Sequence, residues 1–133
     1  MAKSPSRFEP FLLSLLRLVV GFTFSLHGWQ KLFGLFGGIG GHGYPVHLAS
    51  RLGAAGVIES VGGLLIFLGL LTRPIAFLLC GEMAVAYFTT HAPRSPYPIL
   101  NGGELAVLYC FIFLYLVAAG PGPFSLDRLR GKA

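Results

Sequence analysis

The chain has 133 residues, of which 54% are hydrophobic and only 11% carry a charged side chain. Soluble globular proteins carry about 25% charged residues, so this composition and the mean hydropathy of +0.73 exclude an ordinary soluble domain, and the length excludes two domains. The net charge of +5 does not indicate nucleic-acid binding, because the cations flank the apolar runs, where they orient membrane helices.

The first apolar run covers residues 11–33 and is long enough to cross a membrane, which takes about 20 residues. The charged segment before it resembles the start of a signal peptide. The run is longer than a signal core and lacks a small-x-small cleavage site, so we predict a mature membrane helix. The glycine-rich connection that follows resembles a phosphate-binding loop, but no strand precedes it and no GK[ST] sequence follows.

Three further apolar runs cover residues 52–71, 75–91 and 102–119. The connection between the first two is so short that these helices must be antiparallel neighbours, and we place Pro74 at the first position of its helix. The chain then ends in a tail in which Ser125 is expected to cap a short helical turn. Because backbone polar groups in lipid must be satisfied within each segment, we predict an all-α integral membrane protein. It is a four-helix antiparallel transmembrane bundle, forming one domain over residues 1–133.

The distribution of Lys and Arg predicts that both termini are cytoplasmic. Six cations lie on the side of the termini and the second connection: Lys3, Arg7, Arg73, Arg128, Arg130 and Lys132. Three lie on the opposite side: Lys31, Arg51 and Arg94. We interpret Arg17, inside the first run, as an anchor that extends its charge toward the cytoplasmic surface.

Three of the five acidic residues lie inside apolar runs, where an ionised acid costs about 2.5–3.5 kcal/mol. At 1.5 Å per residue, Glu59, Glu82 and Glu104 lie about 10, 13 and 5 Å from the outer ends of their helices, and His27 and Lys31 about 9 and 3 Å. His27 and Lys31 also share one helix face. These five residues therefore predict a polar pocket that opens toward the outside. Because the formal charges of Lys31 and three glutamates do not balance, one glutamate should be protonated or a histidine charged.

Structural readings of the same residues stay open. Lys31 near a helix end would also reach the lipid headgroups by itself, and the glutamates would also join helices by hydrogen bonds without binding a ligand. Trp29 fits an aromatic belt at the membrane surface or, alternatively, the wall of a ligand slot. Cys80 and Cys110 form no CxxC motif and no metal-binding spacing, so they are interpreted first as buried thiols and only second as a redox pair.

The order and spacing of three segments resemble the DoxX family of small four-helix membrane proteins: LRLVVGFTFSLHGWQKLFGLFGG, GVIESVGGLLIFLGLLTRPIA and NGGELAVLYCFIFLYLVAAGPGPFSLD. The resemblance implies a bacterial cytoplasmic-membrane protein of a group often labelled as oxidoreductases, with relatives linked to thiosulfate and quinone. The shared positions are Arg17, His27, Gly28, Lys31, Glu59, Gly62, Gly63, Arg73, Glu104 and Asp127. Glu82 has no assigned counterpart in that pattern.

Three functions remain open. The first is a quinone- or sulfur-linked membrane oxidoreductase component, in which His27, Lys31, Glu59 and Glu82 act on the substrate while Trp29 and Glu104 help to bind it. The second is a non-catalytic accessory subunit of a larger membrane complex, and the third is a carrier of protons or small solutes. Quinone would be a substrate, and the bilayer and redox subunits would be the partners; neither a metal nor nucleic acid is expected.

Overall fold

A computed structural model describes residues 6–132, and within that range the chain is helical without strands. Four longer helices are α1 (Glu9–Phe33), α2 (Arg51–Leu68), α3 (Thr72–Ala86) and α5 (Glu104–Ala119). Two helices of four residues each are α4 (Pro98–Asn101) and α6 (Leu126–Leu129). The all-α prediction is therefore confirmed for these residues. Lys3, one of the cations used to predict the orientation, lies outside the described range.

Two helices, α1 and α2, are long and apolar enough to cross a membrane, and α5 is a shorter apolar helix. The predicted third run is divided: α3 ends at Ala86, and a π-helical segment continues over Tyr87–His91. In the predicted fourth run, Gly102 adopts a left-handed conformation with φ of 72°. Helix α5 consequently begins at Glu104, two residues later than predicted.

The predicted ends of the second and third runs, at residues 71 and 75, are each wrong by three residues, because α2 ends at Leu68 and α3 begins at Thr72. Helix α2 ends at Leu68 because Gly69 takes a left-handed conformation with φ of 67°, which closes the helix. Leu71 is also left-handed, with φ of 53°, and α3 begins directly after it at Thr72. Pro74 therefore occupies the third helical position and not the first, and still lies in the first turn, where a missing N–H group has no cost.

The longer helices pack as two antiparallel pairs, α1 with α2 and α3 with α5, and the contact between the pairs is much less extensive. Glycines allow α1 and α2 to approach closely: a Cβ atom at Gly21 would lie 2.3 Å from the backbone nitrogen of Phe67. Between the pairs, Phe24 of α1 and Phe113 of α5 meet edge to face with 4.9 Å between ring centroids. The core thus lies where the two pairs meet.

Arg17 corrects the sequence interpretation, because it is fully buried (0% exposed) and does not extend to the surface. Its guanidinium donates to four backbone carbonyls: those of Ile66 and Phe67 at the end of α2, and those of Pro121 and Phe124 in the tail. A cation at a helix C-terminus is favourable because the last carbonyls have no partner within the helix. Arg17 therefore joins α1, α2 and the tail.

Asp127 makes the complementary contact at the start of α3. Its two carboxylate oxygens accept the backbone N–H groups of Leu71 and Thr72, each at 2.8 Å. Burial opposes ionisation of this carboxyl, but the hydrogen bonds from the Thr72 and Leu71 N–H groups outweigh it and lower the pKa of Asp127. Because the folded pKa is the lower one, this contact stabilises the fold fully above the ordinary aspartate pKa, and its contribution is lost as pH falls through the lowered value.

The tail is held by two further interactions. Ser125 accepts the N–H group of Arg128 at 3.2 Å, which confirms the predicted cap of the short helix α6. Arg73 donates to the carbonyls of Val117 and Ala118 at the end of α5, both at 2.7 Å. Charged side chains thus occupy the ends of α2, α3 and α5 at one end of the molecule, which we call the tail end. The opposite end carries the glycine-rich loop and is called the loop end.

Candidate functional site

At the loop end, glycines bring α1 and α2 close enough for their polar side chains to meet. A Cβ atom at Gly28 would lie 2.3 Å from the Ser60 hydroxyl oxygen, and one at Gly56 would lie 3.0 Å from the Cβ atom of Lys31. Small residues allow this kind of close helix approach. The same spacing places Lys31 opposite Glu59, one turn beyond Gly56 on α2.

Lys31 and Glu59 form the one ion pair recorded within residues 6–132, with 2.6 Å between Lys31 Nζ and Glu59 Oε2. Their side chains are only 12% and 6% exposed. The backbone carbonyl of Lys31 also accepts the N–H group of Val46 at 2.9 Å, so the glycine-rich loop is tied to the end of α1. A charge-assisted hydrogen bond with this little exposure is of the strong type.

Glu82 of α3 lies near this ion pair, within electrostatic range of both Glu59 and Lys31. Both of its carboxyl oxygens are buried, and neither has a hydrogen-bond partner within the described part of the chain. Buried polar atoms are normally paired, because an unpaired group loses its interactions with water. Lys31, Glu59 and Glu82 are called the acid–lysine cluster; their formal charges sum to −1.

His27 lies one helical turn before Lys31 and connects the cluster to aromatic side chains. Its ring meets Tyr109 of α5 edge to face, with 5.9 Å between centroids and an angle of 87°. Tyr109 also contacts Phe24 at 5.0 Å and donates its hydroxyl to the Thr23 hydroxyl oxygen at 2.9 Å. A polar group and an aromatic wall therefore meet where the two helix pairs face each other.

Two of the candidate residues from the sequence lie apart from this arrangement. Glu104 is exposed at the first position of α5, on a surface groove of about 280 Å³ that it shares with Pro98, Val107 and Leu108. Its carboxylate stays at the surface because α5 begins there. Trp29 is half-buried on α1, two residues before Lys31.

The described surface also carries a groove of about 420 Å³ at the other end of the molecule, lined by residues of the start of α1 and by Tyr115. The linings of the two grooves do not include any residue of the acid–lysine cluster. The Lys31 and Glu59 side chains are only 12% and 6% exposed, so little of the ion pair is open to the surface in this structure.

Tyr109, which links His27 to the aromatic core, was not among the site residues predicted from the sequence. Its signal is weak, because one tyrosine within an apolar run is typical of any membrane helix. The spacing offered one indication: Tyr109 follows Glu104 by five residues and therefore lies deeper in the same helix than that acid.

A model of the DoxX family matches residues 12–92. A protein of Haemophilus influenzae (strain ATCC 51907 / DSM 11121 / KW20 / Rd), named "Uncharacterized protein", is 45% identical over 129 residues that cover 92% of each chain. A protein of Bacillus subtilis (strain 168), named "Putative oxidoreductase CatD", is 31% identical over 123 residues that cover 89% of this chain and 87% of that one. No solved structure matches.

Proposed function

The chain belongs to the DoxX family, and on this premise we propose that it is a four-span membrane protein that serves as a quinone- or sulfur-linked component of an oxidoreductase. Large apolar side chains exposed on the shorter helices support the four spans, among them Phe77 on α3 and Phe111 on α5, which are 71% and 64% exposed. Lipid is the surrounding in which such faces are stable. With 16 residues, α5 is about 24 Å long and would cross with local thinning of the bilayer.

In this proposal the tail end faces the cytoplasm and the loop end faces outward, in the bacterial cytoplasmic membrane. The bias of six cations against three supports this orientation. Cysteines introduced at Ser6 and Ser95, in a variant with Cys80 and Cys110 replaced by alanine, test it. We expect an impermeant maleimide added to intact spheroplasts to label the Ser95 position and not the Ser6 position. Labelling of both from one side would contradict the four-span topology.

The acid–lysine cluster carries the functional proposal. Lys31 is paired at 2.6 Å with one buried carboxylate and lies beside a second carboxyl group whose oxygens have no partner among residues 6–132. The cluster therefore has hydrogen-bonding capacity that these residues do not use. A quinone head group offers two carbonyl oxygens and, when reduced, two hydroxyl groups. Lys31 would donate to one oxygen, and Glu82 would accept a hydroxyl proton from the other. The Lys31 ammonium would equally hold an oxygen of a sulfur oxyanion.

His27 and Tyr109 supply the remaining surface of the site. Their edge-to-face contact lies between the two helix pairs. A flat quinone ring bound between the helix pairs would contact the aromatic carbons of these two side chains on one of its sides. The limited contact between the pairs supports an entrance that opens from the lipid at this place. Electrons would come from a partner subunit or pass directly between bound substrates.

Binding of a soluble quinone analogue to the protein in nanodiscs tests the proposal. Trp29 is the only tryptophan of the chain. It lies on another side of α1 from Lys31 but only about 3 Å from it along the helix axis, so a quinone bound at the cluster would be near enough to quench its fluorescence. We expect saturable quenching by the quinone, and Lys31→Met should weaken the affinity about tenfold or more, since a hydrogen bond from a charged donor contributes about 1.5–3 kcal/mol. A parallel titration with thiosulfate competing against the quinone tests the sulfur ligand.

Arg51→Met is the matched control, because it removes an exposed cation at the same end of the molecule. It should leave the quinone affinity unchanged. Equal quenching of wild type and Lys31→Met, or quenching that rises linearly without saturation, would contradict the quinone site. That result would favour the accessory-subunit function, for which the cluster only joins α1, α2 and α3.

A further inference from the structure

The two cysteines of the chain meet between α3 and α5, although 30 positions separate them in sequence. Cys80 on α3 and Cys110 on α5 lie with 3.6 Å between their sulfur atoms. The Cys110 sulfur also lies 3.5 Å from the backbone carbonyl oxygen of Cys80. Both thiols are free in this structure. The contact arises because α3 and α5 form one of the two closely packed helix pairs.

The two sulfur atoms are in van der Waals contact. A disulfide needs about 2.05 Å between its sulfur atoms and a close approach of the two backbones. Two thiols with their sulfur atoms 3.6 Å apart on packed antiparallel helices must close this distance by about 1.6 Å to join.

The surroundings of the pair determine which oxidant reaches it. Both cysteines are half-buried and pack against the edge of the apolar core. Their neighbours Phe77, Leu78 and Phe111 are largely exposed on the outer faces of α3 and α5. In a membrane, this surface would face lipid, so an oxidant dissolved in the bilayer would reach the thiols more readily than one dissolved in water.

We propose that Cys80 and Cys110 form a reversible dithiol–disulfide couple that exchanges two electrons with a quinone dissolved in the bilayer. In the oxidising direction both S–H bonds break and one S–S bond forms. The two electrons and two protons reduce the quinone to its hydroquinone. The reverse reaction returns both thiols. The couple does not require the acid–lysine cluster, so it stands or falls independently of the proposed quinone site there.

The alternative is that the cysteines only fill space as small apolar side chains, which is the ordinary role of a buried free thiol. The two roles differ in one observable. A space-filling pair stays reduced in the presence of a quinone, whereas a redox couple loses both thiols together and reduces one quinone for each chain.

The test uses the full-length protein, reduced and then freed of reductant, in liposomes under argon so that oxygen does not compete. The added quinone carries substituents at all four ring positions, which prevents its direct addition to a thiol. The protein is then denatured and its thiols are labelled with a maleimide polymer that retards the chain on a gel. We expect the number of labelled thiols in the wild type to fall from two to none, with one quinone reduced per chain and an intramolecular disulfide in the mass spectrum.

Single variants supply the controls. In Cys80→Ala and Cys110→Ala the remaining thiol should stay labelled, and no quinone should be reduced. In Lys31→Met, the quinone should oxidise Cys80 and Cys110 as it does in the wild type. This result would show that the thiol reaction does not depend on the proposed quinone site at Lys31. Wild-type thiols that stay labelled, a disulfide between two chains, or a disulfide that forms with diamide but not with the quinone would each overturn the proposal.

Discussion

Arg17→Leu is expected to destabilise the protein by at least about 3 kcal/mol, because several buried carbonyls lose their donor at once. Arg17 is 0% exposed and serves the carbonyls of Ile66, Phe67, Pro121 and Phe124. Leucine fills part of the space but donates no hydrogen bond. The effect is measurable as a large fall in the midpoint of thermal unfolding in detergent, and as faster proteolysis of the tail.

Arg17→Lys is the informative companion. Lysine keeps the charge but presents a single ammonium group in place of the planar guanidinium, so it cannot reach acceptors on α2 and on the tail together. We expect an intermediate loss of stability, with the tail released before the rest of the chain unfolds. If both variants matched the wild type in stability, Arg17 would not join the tail to α2.

Gly21→Ala is expected to have the second largest effect on stability. A Cβ atom there would lie 2.3 Å from the backbone nitrogen of Phe67, 2.7 Å from its Cα atom and 2.8 Å from the carbonyl oxygen of Gly63. These are backbone atoms of α2, so no rotation of a side chain relieves the clash. The two helices must separate, and forced overpacking of this kind costs about 1–3 kcal/mol or more.

Gly81→Ala makes the same substitution in a helix where space is open. Apart from its chain neighbours and the backbone of its own helix, no described residue has an atom within 4 Å of a Cβ atom placed at Gly81. Alanine should therefore be neutral or should stabilise α3 by about 0.5–1 kcal/mol, the usual gain over glycine in a helix. Thermal unfolding of both variants in the same detergent compares them, and equal effects would contradict the close approach of α1 and α2.

The helices were predictable because apolar runs of nearly the length of a membrane helix leave few alternatives. Their ends were less predictable. The run before Arg73 reads as apolar through Leu71, but Gly69 closes α2 in a left-handed conformation. Apolar side chains favour a buried helix without marking its last residue, and the tertiary contacts of Asp127 determine where α3 begins. A single sequence does not indicate which distant residue makes such a contact.

The candidate site was partly predictable because the position of a residue along an apolar run gives its depth in the membrane. Depth along each helix placed Lys31 and Glu59 at the same end, and the structure joins them at 2.6 Å. Depth does not indicate which side of a helix faces its neighbour, and Glu104, which lies at the same end, is exposed. Arg17 was misinterpreted because its acceptors are backbone carbonyls, which every residue carries and which leave no sequence signal. The contact of Cys80 with Cys110 depends on how α3 and α5 pair, which their spacing does not encode.

The acceptors of Arg17 have a consequence for the order in which the protein is made. A ribosome produces Arg17 early, but two of its four acceptors belong to Pro121 and Phe124, which are 104 and 107 positions later. While the chain is being synthesised, α1 and α2 are therefore complete as helices long before their shared cation has its full set of partners. Until Pro121 and Phe124 emerge, only the carbonyls of Ile66 and Phe67 are available to this cation. The first helix pair is thus completed by the segment around Pro121 and Phe124, and a chain cut after α5, which retains every long helix, would still lack these two acceptors.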